Sequence, residues 1–314
     1  MSFTTSVDYL SRANLWTNEL KDINEFDLMA MKYVDVIDFP DGDTLNMPSI
    51  GQFEVADYTE NAAARYTAAD TGNWTFTITE YKQAGVYITR KAKQDLFYAE
   101  QLVSSFVPKM SRAIAEDTES FIFSLFNSTQ TASNTNAVNG AAHRWVGAGA
   151  NETISPTDFA RAKNSFQMAG APMTNLVAIV HPSVEYALDT MTNIVNVSNN
   201  PRWEGIIETG HRTGLRFSKN IYGFDVYVSQ FLPTGQTDTI ENRTAAAGAA
   251  NIFLSANKGM DAAMKFAVRQ APIVDSSFNK DFQRDEYVMT YRYGAKVFRP
   301  ENYLIVVTDT DQVA

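Results

Sequence analysis

The chain has 314 residues, 45% hydrophobic, 20% charged and 12% aromatic, with 26 Lys and Arg against 36 Asp and Glu for a formal net charge of -10. That length and apolar content predict one large or two modest domains with a real core and exclude a disordered chain. The acidic balance disfavours a surface that tracks phosphate backbones, and the absence of cysteine excludes disulfides, thiolate nucleophiles and Cys-based zinc sites. The opening MSFTTSVDYLSRANLW has no basic segment leading into an apolar one, and no later run is apolar for the length of a membrane span. A soluble protein made inside the cell is expected.

From Leu10 to Met31 the apolar residues Leu15, Trp16, Leu20, Ile23, Phe26 and Met29 recur every three or four positions, as on an intermittently helical arm. Pro40, Gly42, Pro48 and Gly51 then mark a change of direction. Trp74, Phe76 and Ile78 alternate with threonines, and the alternation resumes at Val86 and Ile88, so residues 44–90 read as one long two-stranded hairpin. Its middle, YTENAAARYTAADTGN, offers almost nothing apolar to a core, and an isolated hairpin is barely stable in water. Such an element needs a partner surface.

The longest helical pattern follows over about 92–127, with Leu96, Val103, Phe106, Met110, Ile114, Phe121 and Leu125 at steps of three, four or seven. Pro108 is expected to kink this helix or divide it. After a polar, Gly-rich loop, the capping signal SPTDFARAKNSFQMAG predicts a helix from Pro156 to Gly170, and NLVAIVHP a buried strand. With the strand pair IYGFDVYVSQFLP, the surface loop ENRTAAAGAA and the strand NIFLSAN, these predict an α/β layer over 153–256. Three more strands are expected in AAMKFAVRQAP, DEYVMTYRYGAKVF and NYLIVVT, and no internal repeat is present.

Signals for chemistry are weak. The three histidines, His143, His181 and His211, share no spacing, and His181 at the end of an apolar strand reads as a hydrogen-bonded structural residue more readily than as a general base. There is no serine elbow, no phosphate-binding glycine loop and no calcium loop: Asp41 and Asp43 in PDGDT read as a solvated turn, and GAGAN as a surface turn. Arg90 with KAKQ reads as a solvated face or as a donor of salt bridges between subunits. No catalytic, cofactor or metal residue is assigned. The arm and the hairpin instead suit exchange between subunits, where their backbone groups and few apolar side chains gain partners.

The order of arm, hairpin, long helix, α/β domain and returning strands resembles the major capsid proteins of tailed bacteriophages, an α+β, Hong Kong 97-type fold. The segments that carry the resemblance are MPSIG, ITRKAKQDLFYAEQLVSSFVPKMSRAIAEDTESFIF, GAPMTNLVAIVHPSVEYAL and NIYGFDVYVSQFLP, together with YRYGAKVFRPENYLIVV, which is most like short-tailed-phage proteins. The resemblance implies an N-terminal arm (1–43), an extended hairpin or E-loop (44–90), a peripheral domain with its spine helix (91–152), an axial domain (153–256) and returning peripheral strands (257–314). In this family the late strand completes the peripheral sheet, with Gly294 permitting a bend or close approach. The resemblance also implies hexamers and pentamers of an icosahedral shell enclosing packaged double-stranded DNA in the virion, assembled in the host cytoplasm. The axial loop from Asn196 would lie near the symmetry axes, and the hairpin across the adjacent subunit.

Candidate contacts between subunits are Trp74, Arg65, Arg90, Trp203, Arg299 and Glu301, with an Arg299–Glu301 pair inside the subunit as the plainer reading of those two. The implied partners are copies of the chain, a separate scaffolding protein, a portal and a decoration protein, with no membrane. No lysine lies between Lys32 and Lys82, which argues for non-covalent stabilisation over cross-linking through the hairpin. Two alternatives stand beside the virus shell: an encapsulin-like compartment around a protein cargo, and an enzyme with a site at His181.

Overall fold

The computed structural model describes residues 28–310 apart from 38, 40–43, 52, 54, 62, 64–65, 67, 69–70, 96–98, 132, 134–135 and 191–216. The arm before Leu28, the turn at Asp41 and Asp43, Leu96 of the helical pattern, His211 and the loop from Asn196 lie outside the described residues.

In chain order the elements are α1 (Ala30–Tyr33), β1 (Asp35–Ile37), β2 (Thr44–Ile50), β3 (Thr71–Thr77), β4 (Glu80–Thr89), α2 (Arg90–Asp95) and α3 (Ala99–Thr129). Short strands β5 (Ala137–Val138), β6 (Ala141–Ala142) and β7 (Arg144–Val146) lead to α4 (Pro156–Ala169), β8 (Leu176–Val180) and α5 (Pro182–Thr190). Then come β9 (Phe217–Ile221), β10 (Phe224–Val228), β11 (Thr239–Ile240), β12 (Arg243–Thr244), β13 (Gly248–Ser255), β14 (Met264–Asn279), β15 (Arg284–Val297) and β16 (Tyr303–Asp309).

Two sheets organise these elements. One has four strands in the order β1-β14-β15-β4, the other six in the order β7-β16-β13-β8-β10-β9. Both faces of the six-stranded sheet are buried, which explains why its central strands are continuous apolar runs rather than alternating ones. Val177, Ile179, Ile252, Leu254, Ile305 and Val307 join the core shared with α3, whereas Leu176, Ala178, Val180, Phe253, Leu304 and Val306 pack beneath α4 and α5. Each such side chain taken from water contributes about 1.5–3 kcal/mol. α4 begins and ends as its sequence predicts. Ser155 and Asp158 form a capping box, Pro156 opens the helix, and Gly170 closes it in the left-handed region at φ 74°.

Several expectations are corrected. The hairpin closes at Thr77, where β2 and β3 pair from Thr44↔Thr77 to Ile50↔Thr71, and β4 belongs to the other sheet, paired with β15 from Arg284↔Thr89 to Tyr293↔Glu80. The alternation at Val86 and Ile88 therefore serves to pack on α3; period two reveals the face of a strand but not its neighbour. At the switch the chain passes over Gly294, whose added Cβ would stand 3.0 Å from the Ile78 Cα and 3.2 Å from the Thr77 oxygen, so the close approach requires glycine.

Helix α3 runs unbroken through Pro108, which lies on its exposed side, so the missing amide falls where water reaches the backbone. The stretch YGAKVFRPENYLIVV divides. Its first part ends β15 in the four-stranded sheet, and after a short turn at Pro300–Asn302 its second part becomes β16, between β7 and β13 of the six-stranded sheet. The final strand thus completes the sheet of the α/β layer rather than that of the long helix. The stretch ENRTAAAGAA is only partly a surface loop, since Ala245, Ala249 and Ala250 are fully buried.

Polar anchors tie the parts to α3. Arg144 is buried and pairs with Asp238, with 2.6 Å between Nη2 and the carboxylate, and it donates to the carbonyls of Asn127 (2.9 Å) and Gln130 (2.8 Å) at the end of the helix. It satisfies carbonyls that a helix terminus otherwise leaves open. Further back along the same helix, the Glu119 carboxylate accepts from the backbone amides of Met29 and Ala30, each at 2.8 Å, and so pins the root of the N-terminal segment to α3. Burial raises the Glu119 carboxyl above its ordinary range, while the two amides and Arg112 pull the other way.

Arg144→Ala strands a buried Asp238 and is expected to cost about 3–5 kcal/mol in urea unfolding, whereas replacing the pair together by Met and Leu is expected to cost much less. For Glu119, a raised folded pKa means that its contribution is fully present below its unfolded pKa and is lost as pH rises through the folded value. Melting temperature against pH is therefore expected to rise on acidification from neutrality across that window, and Glu119→Gln to flatten this part of the profile.

Candidate assembly surfaces

The hairpin is rooted by aromatic packing. The Trp74 indole Nε1 donates to the Val297 carbonyl at 3.0 Å, its ring stacks on Phe76 at 5.7 Å, and the Phe298 ring meets it edge-on at 5.1 Å. Lys296 reinforces the root by donating to the Thr75 carbonyl at 2.7 Å, with its ammonium 5.7 Å from the Trp74 ring. Trp74 and Phe76 are the two large residues of the threonine-rich strand; Trp74 meets Val297 and Phe298, and Phe76 packs between Trp74 and Phe39. The root is fixed on the body of its own chain.

Among the described residues the ladder does not continue beyond Ile50↔Thr71. Phe53, Val55, Tyr58 and Tyr66 of this distal part are 71% to 99% exposed. Monomers rarely leave so many large side chains together in water, and such surfaces mark contacts with other chains. Residues 51–70 also carry Glu54, Asp57, Glu60 and Asp70 against Arg65, a net charge of -3.

The four-stranded sheet has a different balance. Residues 80–95 and 264–297, which form β4, α2, β14, β15 and the turn between the last two, hold ten Lys and Arg against six Asp and Glu, a net +4 in a chain of -10. Its far end is ordered by the Asn279 side chain, which accepts from the amides of Asp281 and Phe282 at 3.1 and 3.4 Å. There the Arg284 guanidinium lies over the rings of both Tyr87 (4.5 Å) and Phe282 (4.7 Å), and its Nε donates to Glu286 at 2.6 Å. That bond holds the Glu286 carboxyl below its usual range.

The contact candidates divide accordingly. Trp74 is half-buried and committed to the root within its own chain. Arg90 is exposed at the start of α2, lies 5.2 Å over the Phe278 ring and donates its amide to Gln283. Arg299 pairs with Glu301 at 3.1 Å and also donates to the Met260 carbonyl, so the pair inside the subunit is the one observed. Arg65 and Trp203 lie outside the described residues. Tyr81 and Tyr87 on β4 are 60% and 59% exposed, and the sequence singled out neither, because exposed aromatics on a strand look like ordinary alternation until the covered face is known.

The described histidines have structural roles. The ring of His181 caps α5, since Nδ1 accepts from the Ser183 amide at 3.3 Å and lies 2.9 Å from its hydroxyl, and burial lowers its pKa. His143 is buried between the carbonyls of Ala141 and Glu301. Among the described residues no group of three His, Cys, Asp or Glu could hold a metal ion.

Residues 54–306 match the model of a family described as phage capsid protein. Among solved structures, the chain is similar to one from Mycobacterium phage Che8, with 15% identity and a TM-score of 0.67 over 97% of this chain and 98% of that one. It is similar to the capsid of cyanophage P-SCSP1u, with 14% identity and a TM-score of 0.69 over 94% and 92%. It also resembles the capsid of Ralstonia phage GP4, with 11% identity and a TM-score of 0.67 over 99% and 98%. No curated protein matches the chain in sequence. The likeness to these solved structures carries the α+β, Hong Kong 97-type fold.

Trp74→Ala is expected to cost about 2–3 kcal/mol of local stability, less than the loss of a fully buried aromatic. Amide exchange across 71–77 is expected to quicken while that of β8 and β13 stays unchanged.

Proposed function

Because the chain belongs to the phage capsid protein family, we propose that it is the repeating tile of an icosahedral shell, assembled as hexamers and pentamers around packaged double-stranded DNA. Its role is that of a shell-forming major capsid protein, and its place is the virion. The observation that carries the rest of the reading is the distal hairpin, rooted on β15 and left exposed with its aromatic residues in the single chain. Laid across an adjacent subunit, it gains the partners it lacks, and many weak contacts of this kind sum to a strong container.

The net charge of -10 suits a wall that encloses DNA without gripping it. The absence of lysine from residues 44–77 supports closure without covalent links through the hairpin. A separate scaffolding protein, a portal and a decoration protein are the further partners of this reading, and the host cytoplasm is its place of assembly. The described part of the axial stretch, residues 153–190 and 217–256, supplies α4, α5 and four strands of the six-stranded sheet, and it is the part proposed to gather near the symmetry axes. The cap role of His181 supports a structural rather than a catalytic protein. Among the described residues no helix is long and apolar enough to cross a membrane.

Cryo-electron microscopy of the chain expressed alone and with a candidate scaffold tests the proposal. Closed icosahedral particles with hexamers are the expected outcome; persistent monomers in both preparations would overturn it.

A further inference from the structure

Residues 29–37 and Phe39 join the chain before Leu28 to the hairpin that begins at Thr44. Short as it is, this segment touches α3, both large sheets and the hairpin. At its start the Glu119 carboxylate of α3 accepts from the Met29 and Ala30 amides, and Met29, Ala30 and Val34 are buried in the core shared with that helix. The Tyr33 ring then meets Tyr227 of β10 in the six-stranded sheet at 5.7 Å. Next, β1 lies parallel to β14 from Asp35↔Lys265 to Ile37↔Ala267, and across this ladder the Asp35 carboxylate pairs with the buried Lys265 ammonium at 3.1 Å. At its end the Phe39 ring meets Phe76 of the hairpin root at 5.7 Å. Lys265 opens a second route to the same root. Its ammonium stands 4.6 Å from the Phe298 ring, and Phe298 is the ring that meets Trp74 edge-on.

We infer that residues 29–37 and Phe39 act as a strap that fixes the exits of the N-terminal segment and of the hairpin together, with Glu119 and Phe39 as the positioning residues at its two ends. Three features favour coupling over two independent anchorages. The middle of the strap cannot yield by itself, because parting Asp35 from Lys265 strands a buried cation and breaks the ladder with β14. The start of the strap is held by groups that have no slack, two amides on one buried carboxylate. Both routes at its far end finish on rings that stack on each other, Trp74 and Phe76 at 5.7 Å. Close-packed contacts of this kind pass displacement on, so loosening at one end is felt at the other, and the effect is reciprocal. Its meaning for assembly rests on the shell reading above, in which the segments at the two ends of the strap reach other copies; the coupling itself is a property of one chain.

Hydrogen exchange on the full-length chain tests the strap from both ends. Glu119→Gln keeps the shape of the side chain but presents an N–H group in place of one acceptor, so one of the two bonds to the Met29 and Ala30 amides is lost. Exchange over Ala30–Tyr33 is expected to quicken about threefold or more, and exchange over Thr71–Thr77 to quicken with it, while β8 and β13 stay unchanged. Trp74→Ala, applied at the other end, is expected to quicken the same two stretches. In a Phe39→Ala background the Glu119→Gln step is expected to quicken residues 30–33 as before but to act less on 71–77, and Phe39→Tyr, which keeps a ring at that place, to restore the transmission.

Quickened exchange over 30–33 with 71–77 indifferent would overturn the strap. So would quickening that spreads equally to β8 and β13, which marks a general loss of stability. Transmission that survives Phe39→Ala undiminished would overturn the role of Phe39. The exchange result decides the coupling whether or not particles form, so its failure is distinct from failure of the shell reading.

Discussion

Phe121 and Phe126 stand five residues apart on α3 and press on different sheets. Phe121 meets Tyr293 of the four-stranded sheet edge-on at 5.5 Å, and Phe126 meets Tyr303 of the six-stranded sheet at 4.9 Å. Their neighbours Ile122 and Phe123 fill the space between and are fully buried. One helix thus serves as the wall of two sheets, and neither sheet can shift without disturbing the same few aromatic contacts. Arg144 at one end of this helix and Glu119 further back add polar fixings that only this arrangement satisfies. Close-packed interiors of this kind transmit displacement rather than absorb it.

On that rigid base sits the hairpin, whose described distal residues Phe53, Val55, Tyr58 and Tyr66 are uncovered when the chain stands alone. The root at Trp74 fixes where the hairpin leaves the body, so the placing of those residues depends on the packing of one indole.

How much of this the sequence revealed depended on whether the signal was local. The capping box at Ser155 and Asp158, the terminating Gly170 and the apolar run of β8 are local, and they appear where their residues predict. The partner of β4 is not local. Val86 and Ile88 alternate correctly for a strand, yet their ladder is with residues two hundred positions later, and periodicity carries no address. The ending of YGAKVFRPENYLIVV failed for the same reason: its apolar residues announce a buried strand without saying which sheet buries it. Gly294 was legible as a place of close approach, but only the fold shows that Ile78 is what approaches. The unsupported hairpin could be read from the few apolar residues in its middle, whereas the exposed side of β4 at Tyr81 and Tyr87 needed knowledge of which face α3 covers.

The passage from β15 to β16 has a mechanical meaning. The hairpin root hangs on Val297 and Phe298, and five residues later the chain enters β16. Displacement of the hairpin at Trp74 is therefore passed by side-chain contact to the segment that leads into a strand flanked by β7 on one side and β13 on the other. Such a strand lies inside its sheet, so what moves the hairpin is felt in the interior of the body as well as at its surface.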